Sequence, residues 1–366
     1  MFVFDVHLDL SLNAIEYNRD LRRSAREIRE IEAGMTDLKG RGLGTVAFPE
    51  MREAGIGLCV ATQLAGCMKP AGPVGSWNSP EQAHAMTQAQ LAWYRDMEDV
   101  GELRQVRDWP EVEAHLEAWH ADPAHAPIGY LLSLEGADSL RTLADLESSW
   151  EQGLRALGPA HYGKGRYALG HDQEGPLSEQ GRELLREMDR LGLILDATHL
   201  CDQTFWQAID LFQGPVWASH HNCRALVDDP RQLADEQIKA LADRGAVIGI
   251  AFDVWMVVPG WERGVTTHAD KPEANLEALA DHVDHYCQLL GSSANVGIGT
   301  DLDGGYGSGL LAAQIGQNGH VWPILGIFGP NHAQLARPCS RKRIFPHVRR
   351  VRGLRRCIKE ETCRGP

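Results

Sequence analysis

No run of apolar residues in this 366-residue chain reaches the ~18 that a membrane-spanning helix needs. The first ten residues, MFVFDVHLDL, lack the basic segment that opens a secretion signal, and Asp5, His7 and Asp9 interrupt their apolar stretch. The segment therefore reads as a first β-strand, and the expected compartment is the cytoplasm with no membrane partner. None of the eight cysteines forms a CxxC pair, which argues against a thiolate metal site or a disulfide framework and for buried free thiols. There is no internal repeat and no low-complexity linker. Basic charge is scarce where a nucleic-acid surface would need it: residues 1–305 carry a net charge of −23, while residues 306–366 carry +9. The acidic body thus excludes nucleic acid as its partner, and the basic tail stands apart.

What is present is a recurring short apolar run. Eight occur: Phe2–Val6, Gly57–Leu64, Ile128–Leu134, Leu154–Pro159, Leu193–Thr198, Val216–Ser219, Ala246–Phe252 and Val296–Gly299. Each is apolar at nearly every position, as parallel strands buried on both faces are. Helical periodicity fills the intervals. Ser178–Leu191 has a Ser N-cap, a stripe of Leu184, Leu185, Met188 and Leu191, and Gly192 as a stop. Pro272–Leu290 carries Leu276, Leu279, Val283, Tyr286 and Leu290 on one face. The 65–126 stretch reads as an insertion with extra helices, Ser79–Val100 among them. Eight strands alternating with helices predict an α/β fold, a (β/α)₈ TIM barrel over residues 1–305.

The reactive side chains fall at the ends of these runs. His7 and Asp9 follow the first strand, Glu135 the third, His161 the fourth, His199 the fifth, His220 the sixth and Asp301 the eighth. A barrel brings all its C-terminal strand ends to one face, so six strands would aim imidazoles and carboxylates at one cavity. Singly, each has an ordinary reading: a strand-end His is commonly hydrogen-bonded structure, and the Asp in Gly-Thr-Asp-Leu-Asp-Gly is commonly a turn residue. Jointly they predict a metal centre. Imidazole and carboxylate suit Zn²⁺, and without cysteine an open catalytic site is favoured over a closed structural one. His7-x-Asp9 alternates so that both side chains can face one way, and Glu135 has two oxygens for bridging. His171, His221, His268, His282 and His285 read as surface or supporting residues. Trp255 and Trp261, after the seventh strand, are candidates for a pocket wall, against plain packing.

The segments Asp5-Val6-His7-Leu8-Asp9-Leu10, Ser133-Leu134-Glu135-Gly136, Gly192 to His199, Ala218 to Arg224 and Gly297 to Gly304 together resemble the membrane (renal) dipeptidase family, peptidase family M19, in order and spacing across residues 1–305. The resemblance implies a zinc-dependent dipeptidase, a (β/α)₈ metallohydrolase with two Zn²⁺ per chain. His7 and Asp9 would bind one ion, His199 and His220 the other, and Glu135 would bridge. It further implies that His161 contacts the substrate, Arg231 holds its carboxylate and Asp301 is the catalytic acid/base, with Arg224 structural. A small dipeptide is the expected substrate and a homodimer a plausible assembly. Val6 and His221 depart from the family, which usually has Gly and Ser there. The family would continue past Gly305 with an acidic helical region. Residues 306–366 instead read as an aberrant basic tail, either frameshifted or divergent.

On this reading a metal-bridging hydroxide attacks the scissile carbonyl, His161 and a zinc ion stabilise the oxyanion, and Asp301 carries the proton to the leaving amine. Two rivals stand beside it: another binuclear amidohydrolase, acting on an N-acyl amino acid or a cyclic amide, and an inactive homologue with a truncated barrel.

Overall fold

The apolar runs become strands that pair in parallel throughout. The computed structural model describes residues 2–67 and 74–304. In chain order the strands are β1 (Val3–Leu8), β2 (Ile56–Leu64), β3 (Leu103–Gln105), β4 (Ile128–Glu135), β5 (Leu154–Gly158), β6 (Ile194–Asp196), β7 (Val216–Trp217), β8 (Ile248–Ile250) and β9 (Val296–Ile298). Their lateral order is β7-β6-β5-β4-β2-β1-β9-β8. A parallel bridge between Ala218 and Ile248 joins the two ends, with Ala218 N donating to Val247 O at 3.0 Å and Gly249 N to Ala218 O at 2.8 Å. Eight strands therefore close into the expected (β/α)₈ barrel. β9 is docked between β1 and β8.

One strand was not anticipated. β3 comes from the insertion and pairs with β4 through residues 128–130, on the edge that β5 takes from residue 132 onward. It is three residues long, too short for an alternation to show. Among its described residues the insertion otherwise holds two helices, Pro80–Asp99 and Trp109–Ala121, capped by the side chains of Ser79 and Asp108. The helix expected at Ser178–Leu191 spans Glu179–Leu191: Ser178 accepts from Gly181 N, and Gly192 ends it at φ +70°. The helix expected from Pro272 begins only at Leu276, where Asn275 caps the backbone of Glu277 and Ala278. The described cysteines are all free thiols. Among the described residues no helix is long and apolar enough to cross a membrane. The basic tail, residues 306–366, lies outside the described residues.

Burial follows from the two-sided covering of the strands. Every residue of β2 and β4 is buried. Side chains of six strands, Val6, Leu58, Val60, Leu131, Ala156, Ile194 and Trp217, pack in one cluster, separate from the larger core between strands and helices. Near the C-terminal mouth space runs out. A Cβ on Gly249 or Gly299 would lie 1.8 Å from Ser219 O. Ser219 thus reaches its place only because β8 and the end of β9 present glycine there. Gly249→Ala should cost at least the ~1–3 kcal/mol typical of overpacking. Urea denaturation of the variant checks this; wild-type stability would mean the mouth can relax around a methyl group.

Candidate metal centre

Seven predicted side chains come from six strand ends at the same end of the barrel. His7 lies near the end of β1 with Asp9 just beyond, and Glu135 is the last residue of β4. His161, His199, His220 and Asp301 each follow their strand by three residues. His7, Asp9, Glu135, His199, His220 and Asp301 are all under 8% exposed. Their ligand atoms converge. Glu135 Oε1 is 3.1 Å from His199 Nε2, 3.4 Å from His220 Nε2 and 3.7 Å from His7 Nε2. His7 Nε2 is also 3.8 Å from Asp9 Oδ1 and 3.9 Å from Asp301 Oδ1. Three overlapping groups could each hold an ion: His7–Asp9–Glu135, Glu135–His199–His220 and His7–His220–Asp301.

Supporting hydrogen bonds fix these side chains. Ser219 Oγ lies 3.3 Å from His7 Nδ1 and 2.8 Å from His220 Nδ1. One hydroxyl thereby turns both Nε2 atoms inward. Thr62 donates to Asp9 Oδ1. Two buried carboxylates tie neighbouring strand ends together. Asp5 accepts from His7 N at 3.1 Å, from Thr300 N at 3.0 Å and from Thr300 Oγ1 at 2.6 Å. Asp196 Oδ1 accepts from Thr198 N at 3.0 Å and Ser219 N at 3.1 Å. The backbone is held against its preference: His199 (φ +67°), Asp301 (φ +55°) and Asp303 (φ +62°) are left-handed. Such conformations cost about 1–3 kcal/mol each and persist only where surroundings impose them. Here Asn13 donates to Asp303 O, and Asp303 accepts from Thr45 Oγ1 and Val46 N.

The electrostatics call for positive charge. Burial pushes Glu135 up, and Asp9 and Asp301 add to the push against His7. Burial lifts Asp301 to about 7, with His7 opposing and Asp9 and Asp253 adding. Burial alone would lower His7, but Glu135, Asp9 and Asp301 outweigh it and raise it to about 10. A proton on His7 thus supplies the cation that three carboxylates demand. His199 and His220 are driven down by burial, with Arg231 adding in both, so they are neutral donors of lone pairs. His161 is lowered to about 4, by burial and then Arg231 and His7, against the pull of Asp9.

The centre opens into a small pocket at the mouth of the barrel. His161, Tyr162, Arg231, Arg263, Met256 and Leu64 complete its walls. Arg231 is 1% exposed; it donates to His220 O at 3.0 Å, and its Nη1 lies 3.2 Å from His221 Nδ1. Arg224 stands outside, paired with Asp202 at 2.7 Å. Trp255 and Trp261 do not line the cavity. Trp255 instead donates to Asp253 and lies under the Arg263 guanidinium, 5.0 Å from it, and Trp261 packs at a tilt against His268, ring centroids 5.0 Å apart. Sequence reasoning missed Arg263 and left His171 and His221 undecided between surface and supporting positions. His171 and His221 are buried against His199 and Arg231, and Arg263 reaches the cavity. His221 had one signal, its adjacency to His220; His171 and Arg263 sit in loops with none.

A parallel (β/α)₈ barrel with a buried imidazole–carboxylate centre able to hold metal at its C-terminal mouth is the class that fold and site define. The family model for membrane dipeptidase (peptidase family M19) matches residues 1–310, and the chain belongs to that family. Among curated relatives, dipeptidase tcpJ of Claviceps purpurea is 32% identical over 184 residues, 48% of this chain and 41% of its own length. An uncharacterized protein of Acinetobacter calcoaceticus, from the PQQ-III 3′ region, is 29% identical over 169 residues, 44% of this chain and 54% of its own length. The chain thus spans about half the length of these relatives. Among solved structures, a metallo peptidase from Rhodobacter sphaeroides liganded with a phosphinate mimic of the dipeptide L-Ala-D-Ala superposes with a TM-score of 0.73 at 25% identity, covering 98% of this chain and 99% of that one. The M19 dipeptidase AC superposes at 0.68, also at 25% identity and covering 98% and 99%.

The raised His7 has a consequence for metal-free protein. A group whose folded pKa lies above its unfolded value stabilises fully below the unfolded pKa and loses that contribution as pH rises through the folded one. For His7 the window runs from 6.5 to about 10. The chelator-treated protein should therefore lose thermal stability across that window. Metal-loaded protein should stay nearly flat there, because a bound cation replaces the proton. Melting curves at stepped pH, with and without added zinc, check this; parallel curves would remove His7 from the cation site.

Proposed function

We propose that the chain is a zinc-dependent dipeptidase that hydrolyses the peptide bond of small dipeptides. The observation that carries this is Glu135 Oε1 within 3.1–3.7 Å of three imidazole Nε2 atoms from three strands, beside a cavity walled by Arg231. The residues fit two divalent ions. Among the described residues His7 Nε2 is buried with no hydrogen-bond partner, which suits a ligand atom. His7 and Asp9 would hold one ion, His199 and His220 the second, and Glu135 both. When bound, such ions act as Lewis acids and make water a competent nucleophile near neutral pH. The donor set of imidazole nitrogen and carboxylate oxygen is one that catalytic zinc takes.

The chain's own residues supply the rest. Arg231 anchors the free C-terminal carboxylate of the substrate through guanidinium edges not engaged by His220 O and His221. A neutral His161 donates from a ring N–H to the carbonyl oxygen as negative charge develops there. Asp301, whose Oδ1 lies 3.9 Å from His7 Nε2 at the edge of the centre, is placed to accept and return a proton. It takes the proton from the attacking water and delivers it to the leaving amine. The R. sphaeroides neighbour's phosphinate ligand makes Ala-Ala dipeptides of both C-terminal configurations the first compounds to assay. Elemental analysis together with hydrolysis of dipeptides and N-acyl amino acids tests the whole reading. Turnover of N-acyl amino acids alone would favour the rival amidohydrolase activity; absence of metal and of all turnover would favour the inactive homologue.

Asp301→Asn should keep metal and substrate binding and lose roughly 10²–10⁴ in kcat, the usual reach of proton transfer by a positioned side chain. Unchanged turnover by the metal-loaded variant would place the proton shuttle elsewhere. Arg231→Ala should weaken binding of free dipeptides by roughly 2–4 kcal/mol. C-terminally amidated dipeptides should be poor substrates of the wild type and little changed by the substitution. Equal losses for free and amidated compounds would make Arg231 purely structural.

A further inference from the structure

The three imidazoles around Glu135 are supported differently. His7 and His220 both rest their Nδ1 atoms on Ser219 Oγ. His199 also turns Nε2 toward Glu135, but its Nδ1 meets another imidazole: His171 Nδ1, 3.2 Å away. His171 and His199 are 6% and 2% exposed, and no other hydrogen-bond partner of His199 Nδ1 appears among the described residues.

The contact is built into the fold. The loop after β5 returns against the segment that follows β6. Gly170 forms an antiparallel bridge with Leu200, and Cys201 N donates to Leu169 O at 3.1 Å. These bonds lie just before His171 on one segment and just after His199 on the other, and the two rings face each other with centroids 5.2 Å apart. Tyr162 packs edge-on against His171 at 4.6 Å and lies 5.3 Å from His199.

Two facing Nδ1 atoms make a hydrogen bond only if one carries a proton and the other a lone pair. A His199 that binds metal through Nε2 must carry its proton on Nδ1 and donate. His171 must then accept on Nδ1 and hold its own proton on Nε2. We infer that His171 is a positioning residue for the metal centre: it fixes the tautomer and ring plane of His199 by accepting from its Nδ1–H. This rests on the metal-centre reading above. Metal-bound histidines commonly lean on a carboxylate or a carbonyl. An imidazole does the orienting without adding a further negative charge to a centre that already buries Asp9, Glu135 and Asp301.

Two variants separate acceptor from packing. His171→Phe keeps a ring beside Tyr162 and removes the acceptor. His171→Asn loses the ring but can place Oδ1 near the former Nδ1. Zinc affinity is read by competition with a chromophoric chelator, and thermal melting confirms that each variant folds. The expected result is a 10–100-fold weakening of the weaker-bound zinc in the Phe variant, the range for loss of such a support, with most of it restored in the Asn variant. On wild-type protein, ¹⁵N-histidine NMR of the zinc-loaded form should show Nδ1–H on His199 and Nε2–H on His171. Wild-type zinc affinity in the Phe variant, equal loss in both variants, or an Nδ1–H tautomer on His171 would each overturn the inference while leaving the metal centre standing. A wild-type protein that binds no zinc would overturn both.

Discussion

One buried carboxylate sets the terms for the mouth of this barrel. Glu135 ends β4 with its Oε1 facing three imidazole nitrogens, and with Asp9 and Asp301 close enough to oppose its ionisation. Such a group is costly to bury charged and alone, so its surroundings must supply positive charge. In the bare protein that charge is the proton on His7, held by the same three carboxylates that crowd the site. The other two imidazoles are kept neutral, partly because Arg231 adds positive charge next to them. A site with surplus carboxylate on one side and free lone pairs on the other is poised for cations.

Holding that arrangement requires backbone in unfavourable conformations. His199 and Asp301 both sit at positive φ, a region that side chains with a Cβ seldom occupy. The compensation is a ring of hydrogen bonds at the strand ends. Asp5 joins β1 to the Thr300 turn, and Asp196 joins the Thr198 turn to Ser219. Ser219 in turn carries two imidazoles and is packed between Gly249 and Gly299. The centre is therefore rigid because neighbouring strand ends are cross-linked by side chains where the backbone ladder has run out.

Much of this was legible in the sequence, for a physical reason. Parallel strands buried on both faces leave eight apolar runs that are hard to mistake, and a barrel sends whatever follows each run to one end. Hence the strand-end positions of His7, Asp9, Glu135, His161, His199, His220 and Asp301 announced their convergence. What the sequence hid is whatever depends on loops folding back. β3 was invisible because three residues carry no period. His171 lies in a loop that reaches His199 through two backbone contacts, and nothing in Gly-His-Asp signals that return. Trp255, large and just past a strand end, left a pocket wall and plain packing equally open; it packs against Arg263, which reaches the cavity in its place.

Arg231 links the two halves of the proposed chemistry. Its guanidinium holds the carbonyl of His220 and meets the ring of His221, so the segment bearing one metal-facing imidazole and the proposed anchor for the substrate carboxylate share a single side chain. Burial above all, with the same positive charge that would attract a carboxylate adding to it, keeps His199, His220 and His221 unprotonated. On the proposed reading this coupling fixes substrate length. The anchor cannot move outward without releasing His220, so the distance from the metal-facing atoms to the carboxylate is set by the backbone. A longer peptide would present an amide where the guanidinium requires a carboxylate, and a buried cation left so poorly matched is unfavourable. The restriction to short substrates would then arise from the same contact that orients the centre.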